Sequence, residues 1–224
     1  YNVKHKIYEV YKKLILTKID KLIFVDDCCP QKSVQFLGTR IKKTKKIQFI
    51  FLNKNKGVGG ATLEGFKRAQ KQGYEILLKF DADNQHKVKD LLKIIKILQK
   101  KEVLFCKGFR KLNLKDSLKR KMPLIRILGT NALTMISRIT TNNFYLKDVT
   151  NGLFGLKSSL FIKLNLAKIK NNYFFEQDLI FQLCQKRVKI YQINSDVLYE
   201  NETSSLKIIK IIFPFIIYHV NNFF

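Results

Sequence analysis

Two short apolar runs in this 224-residue chain end in acid: Leu22-Ile-Phe-Val-Asp26-Asp27 and Leu77-Leu-Lys-Phe80-Asp81-Ala-Asp83. Residues two apart in an extended or turn segment can turn their side chains to the same side. Asp81 and Asp83 can therefore offer two hard oxygen ligands to one Mg²⁺ or Mn²⁺. A cation held by so few protein ligands keeps positions open for a diphosphate. The same residues read equally well as a helix cap or a solvated turn. Between the two clusters lies Asn53-Lys-Asn55-Lys-Gly57-Val-Gly59-Gly60-Ala-Thr62. It lacks the third glycine of a dinucleotide fingerprint and the Gly-Lys-Ser/Thr ending of a P-loop. Its glycines suit either close helix–sheet packing or backbone approach to a nucleotide or its sugar, and spacing does not separate the two. His86 follows the second acidic cluster and suits either a cation or diphosphate neighbour or a solvated loop, whereas His5 and His219 read as structural. Cysteines 28, 29, 106 and 184 lack two-residue spacing, which points to a reducing compartment and no structural metal.

The elements that must position these groups alternate. A helix is expected over 4–18, with Ile7, Val10, Tyr11, Leu14 and Ile15 as its apolar stripe. Strands are expected at 21–26, 47–52, 74–80 and 102–107. Helices follow from the glycine loop to about Gln72, where Gly73 suits the C-terminal stop, and over 87–100. Beyond Gly108 the pattern predicts a mainly helical 117–140, loop and short strands over 144–157, a helix over 175–187 and a strand over 188–199. Such alternation implies an α/β fold: a Rossmann-like, mostly parallel sheet with helices on both faces. In open α/β sheets, ligands bind beyond the carboxyl ends of the strands, where both acidic clusters fall. The organisation expected is one catalytic domain over 1–205 and an apolar, basic segment over 206–224, suited to a membrane-interface helix. The first residue, Tyr1, and the stop at Phe224 look like cut edges.

The formal charge is +26, and of 43 basic residues only seven are Arg. A nucleic-acid surface generally uses Arg for bidentate contacts. The scattered Lys instead suit attraction to an anionic membrane surface, and no nucleic acid is expected as a partner.

The ordered set of landmarks resembles the family-2 glycosyltransferases of GT-A fold, nearest the branch of dolichol- and polyprenyl-phosphate sugar synthases. It comprises the two acidic strand ends, the glycine loop, Lys107-Gly-Phe-Arg110, Gly129-Thr-Asn131, Asp148-Val-Thr-Asn151-Gly152, Tyr173-Phe-Phe-Glu176-Gln-Asp178 and Tyr199-Glu-Asn-Glu202-Thr-Ser-Ser205. The resemblance implies inverting transfer of a sugar from a UDP- or GDP-sugar to polyprenyl phosphate at the cytoplasmic face of a membrane, with Mg²⁺ or Mn²⁺. It places Asp26, Asp27, Asn55, Gly57, Asp81 and Arg110 on the nucleotide sugar and Asp83 on the metal, with Asp81 in support. Asp148 and the pair Glu176 and Asp178 would line the acceptor side, Asp178 ranking just above Glu176 as the base. Two departures stand out. Cys28-Cys29 replaces the small polar pair that follows the family's first acids, and the family's first strand is missing, Tyr1-Asn2 resembling its tail. That strand is central in the family's sheet, so residues ahead of Tyr1 are expected. The alternatives are transfer to a saccharide of a surface polysaccharide, or a non-catalytic nucleotide- or nucleic-acid-binding module.

Overall fold

The computed structural model of the chain describes residues 1–111, 124–172, 174–195 and 217. Tyr173, the Tyr199–Ser205 landmark and, Ile217 apart, the 206–224 segment lie outside the described residues. Helix α1 (Ile7–Ile15) leads into β1 (Leu22–Asp26), α2 (Ser33–Arg40), β2 (Ile47–Phe51), α3 (Gly57–Lys71), β3 (Ile76–Lys79), α4 (Val88–Leu98) and β4 (Phe105–Phe109). Next come α5 (Leu124–Thr140), β5 (Phe154–Lys157), the short α6 (Ser158–Phe161), α7 (Phe175–Gln185) and β6 (Ile190–Asn194).

Periodicity explains most of these elements. Ile7, Val10 and Leu14 on α1, and Leu91, Ile94 and Leu98 on α4, recur at helical spacing and are buried. Gly73, at φ +82, takes the left-handed conformation that ends α3. Helix α2 was not expected. It carries only Val34 and Leu37 as buried apolar residues, too few for a legible stripe.

Two apolar clusters mark the two faces of the sheet. Leu22, Phe24, Leu91, Ile94, Leu98 and Cys106 pack on the side of α1, α2 and α4. Leu63, Phe66, Leu77, Phe105, Phe154 and Phe175 pack on the side of α3 and α7. Ile94 is fully buried, and Ile94→Ala would cost about 2–5 kcal/mol through lost burial and the cavity left behind.

The strands pair as two sheets, β1-β2 and β3-β5-β4-β6. β1 pairs with β2 in parallel and β4 with β6 in parallel, but β5 lies antiparallel to both β3 and β4. The arrangement is therefore mixed rather than mostly parallel. The departure is β5, which enters between β3 and β4 in reverse. No described strand joins β1 to β3. Between them lies a cavity of about 530 Å³, lined by Phe24, Val25, Leu77, Leu78 and Phe80 and reached by Tyr1 at the end where Asp26, Asp27 and Asp81 sit. Among the described residues, no helix is long and apolar enough to cross a membrane.

Candidate active site

Asp26, Asp27 and Asp81 line that cavity, but their carboxylates make different contacts. Asp26 is almost fully buried and turns inward: its carboxylate accepts hydrogen bonds from the main-chain N–H of Cys29 (2.7 Å) and Val34 (3.4 Å). It thereby shapes the turn that starts α2, where Cys28 and Lys32 take positive φ. Asp27 accepts from the Lys56 N–H at 2.6 Å and so ties the end of β1 to the glycine loop. Within that loop the Asn55 side chain accepts from the Gly57 N–H at 2.9 Å.

The glycines themselves serve close packing. The N–H groups of Gly59 and Gly60 both donate to the Asn171 carbonyl, at 2.8 and 3.2 Å. A Cβ on Gly57, which has φ +78, would lie 2.5 Å from that same oxygen, and one on Gly59 would lie 2.6 Å from the Lys170 carbonyl. The start of α3 is thus held against the 170–172 loop. Asp178 belongs to this arrangement, since its carboxylate accepts from the Lys170 N–H at 2.6 Å.

The second cluster contains a cation that was not singled out in the sequence. Lys79, the last residue of β3, is buried, and its ammonium donates to Asp81 Oδ1 (2.7 Å) and to the Gly152 carbonyl (3.2 Å). It also lies 3.5 Å from Glu176 Oε1. His86 Nε2 is 3.6 Å from Asp81 Oδ2, while its Nδ1 is buried without a partner. A Cβ at Gly152 would fall 2.7 Å from both Asp81 Oδ2 and Lys79 Nζ, so only glycine leaves room for this group. Lys79 was legible in principle: strand alternation puts it on the inward side with Leu77, where an apolar residue is the norm. Of the two acids on the first turn of α7, the fold thus brings Glu176 to Asp81 and sends Asp178 to the 170–172 loop.

Electrostatics separate these carboxyls. Burial would raise the pKa of Asp81, but the Lys79 charge and the His86 hydrogen bond outweigh it and hold the group well below the usual carboxylate range. Burial and the neighbouring Asp81 charge push Asp83 upward. Burial likewise raises Glu176, against the opposing Lys79 charge.

Asp148 and Arg110 were expected on the acceptor and on the nucleotide sugar, and the structure pairs them with each other. Arg110 Nε and Nη2 donate to the two Asp148 carboxylate oxygens at 2.6 and 2.7 Å, and the Arg110 main-chain N–H donates at 2.9 Å. Thr150 Oγ1 accepts from Arg110 Nη2, and the Lys107 ammonium donates to the Asp148 carbonyl. Burial opposes ionisation of Asp148, yet the Arg110 guanidinium lowers its pKa to about 2. Asp148 sits at φ +44, fully enclosed, as a brace between β4 and the loop that delivers Gly152.

A divalent cation fits this end of the sheet in part. Asp83 Oδ1 accepts from the Gln85 N–H (3.0 Å), and its second oxygen has no partner among the described residues. No three His, Cys, Asp or Glu side chains among the described residues form a ready ligand set, so a bound cation would draw further ligands from water or a diphosphate.

Comparison with known proteins agrees with this fold. The family model described as "Glycosyl transferase family 2" matches residues 1–164. A UDP-N-acetylglucosamine–dolichyl-phosphate N-acetylglucosaminyltransferase of Methanococcus voltae is 29% identical over 171 residues, covering 71% of this chain and 67% of the relative. An undecaprenyl-phosphate mannosyltransferase of Micrococcus luteus is 22% identical over 173 residues, covering 77% and 69%. Among solved structures, glucosyl-3-phosphoglycerate synthase from Mycobacterium tuberculosis, in complex with Mn²⁺, UDP and glucosyl-3-phosphoglycerate, superposes with a TM-score of 0.69 at 14% identity. That match covers 99% of this chain and 76% of the synthase and shows the GT-A-like fold.

Proposed function

We propose that this chain, which belongs to glycosyl transferase family 2, moves a sugar from a UDP- or GDP-sugar to a polyprenyl phosphate, with inversion, at the cytoplasmic face of a membrane. The observation that carries the proposal is that Lys79 links Asp81 (2.7 Å) to Glu176 (3.5 Å) just after β3, while Asp27, just after β1, lines the same cavity as Asp81, and an α/β sheet binds its ligand at the carboxyl ends of its strands. The acceptor class is supported by the relatives from Methanococcus and Micrococcus, whose names carry dolichyl phosphate and undecaprenyl phosphate.

In the transfer, an acceptor oxygen forms a bond to the anomeric carbon while the bond from that carbon to the diphosphate oxygen breaks. The electron pair leaves with the nucleotide diphosphate. Mg²⁺ or Mn²⁺, when bound, would neutralise charge on that leaving group. The residues that would hold it are Asp83 and, in support, Asp81. Asp27, Asn55 and Gly57 shape the loop at the nucleotide end, and Asp26 supports it from beneath. A phosphate acceptor arrives already ionised, so Glu176 need only orient it; a hydroxyl acceptor would hand its proton to Glu176. Asp148 and Arg110 act by holding the Gly152 loop in place, and Asp178 by holding the loop against α3. The +26 charge favours approach to an anionic lipid surface.

The test is incubation with labelled UDP- and GDP-sugars, Mn²⁺ and detergent-dispersed polyprenyl phosphate. Label in the organic phase, lost in Asp83→Asn, is the expected outcome. Label confined to polymer would move the assignment to a saccharide acceptor. Full turnover in Asp83→Asn would remove the cation from the proposal.

A further inference from the structure

Two thiols in a row follow β1, in the turn that Asp26 and Asp27 open. Cys28 is exposed and sits at φ 54, a conformation uncommon for a residue with a side chain. Cys29 is buried and lines the cavity shared with Asp27 and Asp81. Its sulfur has polar company: the Asn2 N–H donates to it at 3.2 Å, and the Ser33 hydroxyl stands 3.3 Å away. Burial opposes ionisation of this thiol, but the hydrogen bonds from Ser33 and the Asn2 main chain outweigh it and hold the pKa below the ordinary thiol value. A cysteine that only fills space behaves as a small hydrophobe and needs no such partners. The same residue also carries the turn. Its N–H donates to Asp26 Oδ1 at 2.7 Å, its carbonyl accepts from the Lys32 N–H at 2.8 Å, and the second Asp26 oxygen accepts from the Val34 N–H at 3.4 Å. Asp27, next in the chain, holds the glycine loop through the Lys56 N–H.

We propose that Cys28 and Cys29 form a modification site, which a small-molecule disulfide oxidises to a bond between the two adjacent sulfurs, and that this bond releases the turn after β1 and weakens donor binding. The effect on the donor rests on the glycosyl-transfer reading above; the chemistry at the sulfurs does not. The exposed Cys28 thiolate attacks the oxidant R–S–S–R, forms a mixed disulfide and expels RS⁻. The Cys29 thiolate then attacks the Cys28 sulfur, forms the Cys28–Cys29 bond and expels the second RS⁻. The two protein thiols give up two electrons to the oxidant, and their protons pass through solvent to the released thiolates. Consecutive Cα atoms lie about 3.8 Å apart across a trans peptide, closer than the roughly 4.4–6.8 Å of ordinary disulfides. Closing the ring must therefore turn the 28–29 peptide, whose N–H is the one bonded to Asp26. A bond strained in this way is readily reduced, so a thiol-rich compartment keeps the pair open and only an oxidising load closes it.

The experiment equilibrates the native chain with reduced and oxidised glutathione, blocks the remaining thiols and weighs the tryptic peptide Leu22–Lys32, which contains both cysteines. An internal disulfide, lighter than the dithiol by two hydrogens, is expected. It should form only where oxidised glutathione predominates and should vanish with dithiothreitol. Calorimetry with Mn²⁺ then compares the two states. The oxidised chain should bind UDP or GDP, whichever the reduced chain takes, about tenfold more weakly, because a hydrogen bond to a charged carboxylate is worth at least about that factor. Dithiothreitol should restore the affinity, and Cys28→Ser, which keeps Cys29 and its contacts, should bind equally in both buffers. A mixed disulfide that stays on Cys28, or a bond between two chains, would overturn the inference, as would unchanged affinity in a chain whose internal disulfide has formed. If the reduced chain binds neither nucleotide, the donor reading fails, and amide exchange decides the switch without it. Oxidation should then speed exchange at Cys29 and Val34, the two N–H groups on Asp26, and unchanged exchange would refute the switch.

Discussion

Replacing Asp148 by Asn tests whether this carboxylate braces the site or takes part in the chemistry. Its two oxygens meet Arg110 at 2.6 and 2.7 Å in a region closed to solvent, and the Lys107 ammonium lies against its main-chain carbonyl. Burial raises its pKa and Arg110 more than reverses that, from an ordinary 3.8 to about 2. At about 1.36 kcal/mol per pH unit, the gap corresponds to roughly 2 kcal/mol of stabilisation at neutral pH. Because the folded-state value is depressed, that stability is fully present above about 4 and is lost as pH falls towards 2. Asp148→Asn removes more than the pair, since it leaves Arg110 and Lys107 as two buried cations without an anion between them. The expected loss is about 3–5 kcal/mol. Urea unfolding of Asp148→Asn, Arg110→Met and the double variant supplies the measurement. The double variant should lose less than the two singles combined, by about 2 kcal/mol, because the residues are in contact. If Asp148→Asn stayed within about 0.5 kcal/mol of the native chain while turnover vanished, the brace would be refuted and Asp148 would take part in the transfer itself.

Gly152→Ala places a Cβ 2.7 Å from Asp81 Oδ2 and Lys79 Nζ; a stability loss of about 1–3 kcal/mol is expected together with a steep fall in kcat, read by unfolding and initial rates. Burial lowers the Lys107 pKa to about 8, against the opposing Asp148 charge. The unfolded chain then holds one proton more than the folded chain between about pH 8 and 10.5, so stability should rise with pH across that window, and Lys107→Met should lose that slope. No strand among the described residues joins β1 to β3, and a cavity of about 530 Å³ lies between them. An extended apolar segment of about five residues fused ahead of Tyr1 should raise the unfolding midpoint and slow amide exchange in both strands, whereas the same segment carrying proline should do neither.

Local pattern made much of this protein legible. Period-2 and period-3.6 apolar spacing located β1 to β4, α1, α3, α4 and α7, and acid after two apolar runs marked the carboxyl ends of β1 and β3. Short-range devices could be read as well: Gly73 stopping α3, and the Asn55–Gly57 turn. What periodicity does not carry is the meeting of residues far apart in the chain. Lys79 reaches Gly152 across 73 positions and Arg110 reaches Asp148 across 38, and no local rule says which inward-facing side chains will touch. The antiparallel entry of β5 is of the same kind, because a short apolar run does not state its direction or its partner. The order of the landmarks pointed to the family, and apolar runs ending in acid marked the strand ends. Only the packing of β5 and α7 beside β3 decided that Glu176 rather than Asp178 joins Asp81, that Asp148 is tied to Arg110, and that a buried lysine stands between the carboxylates.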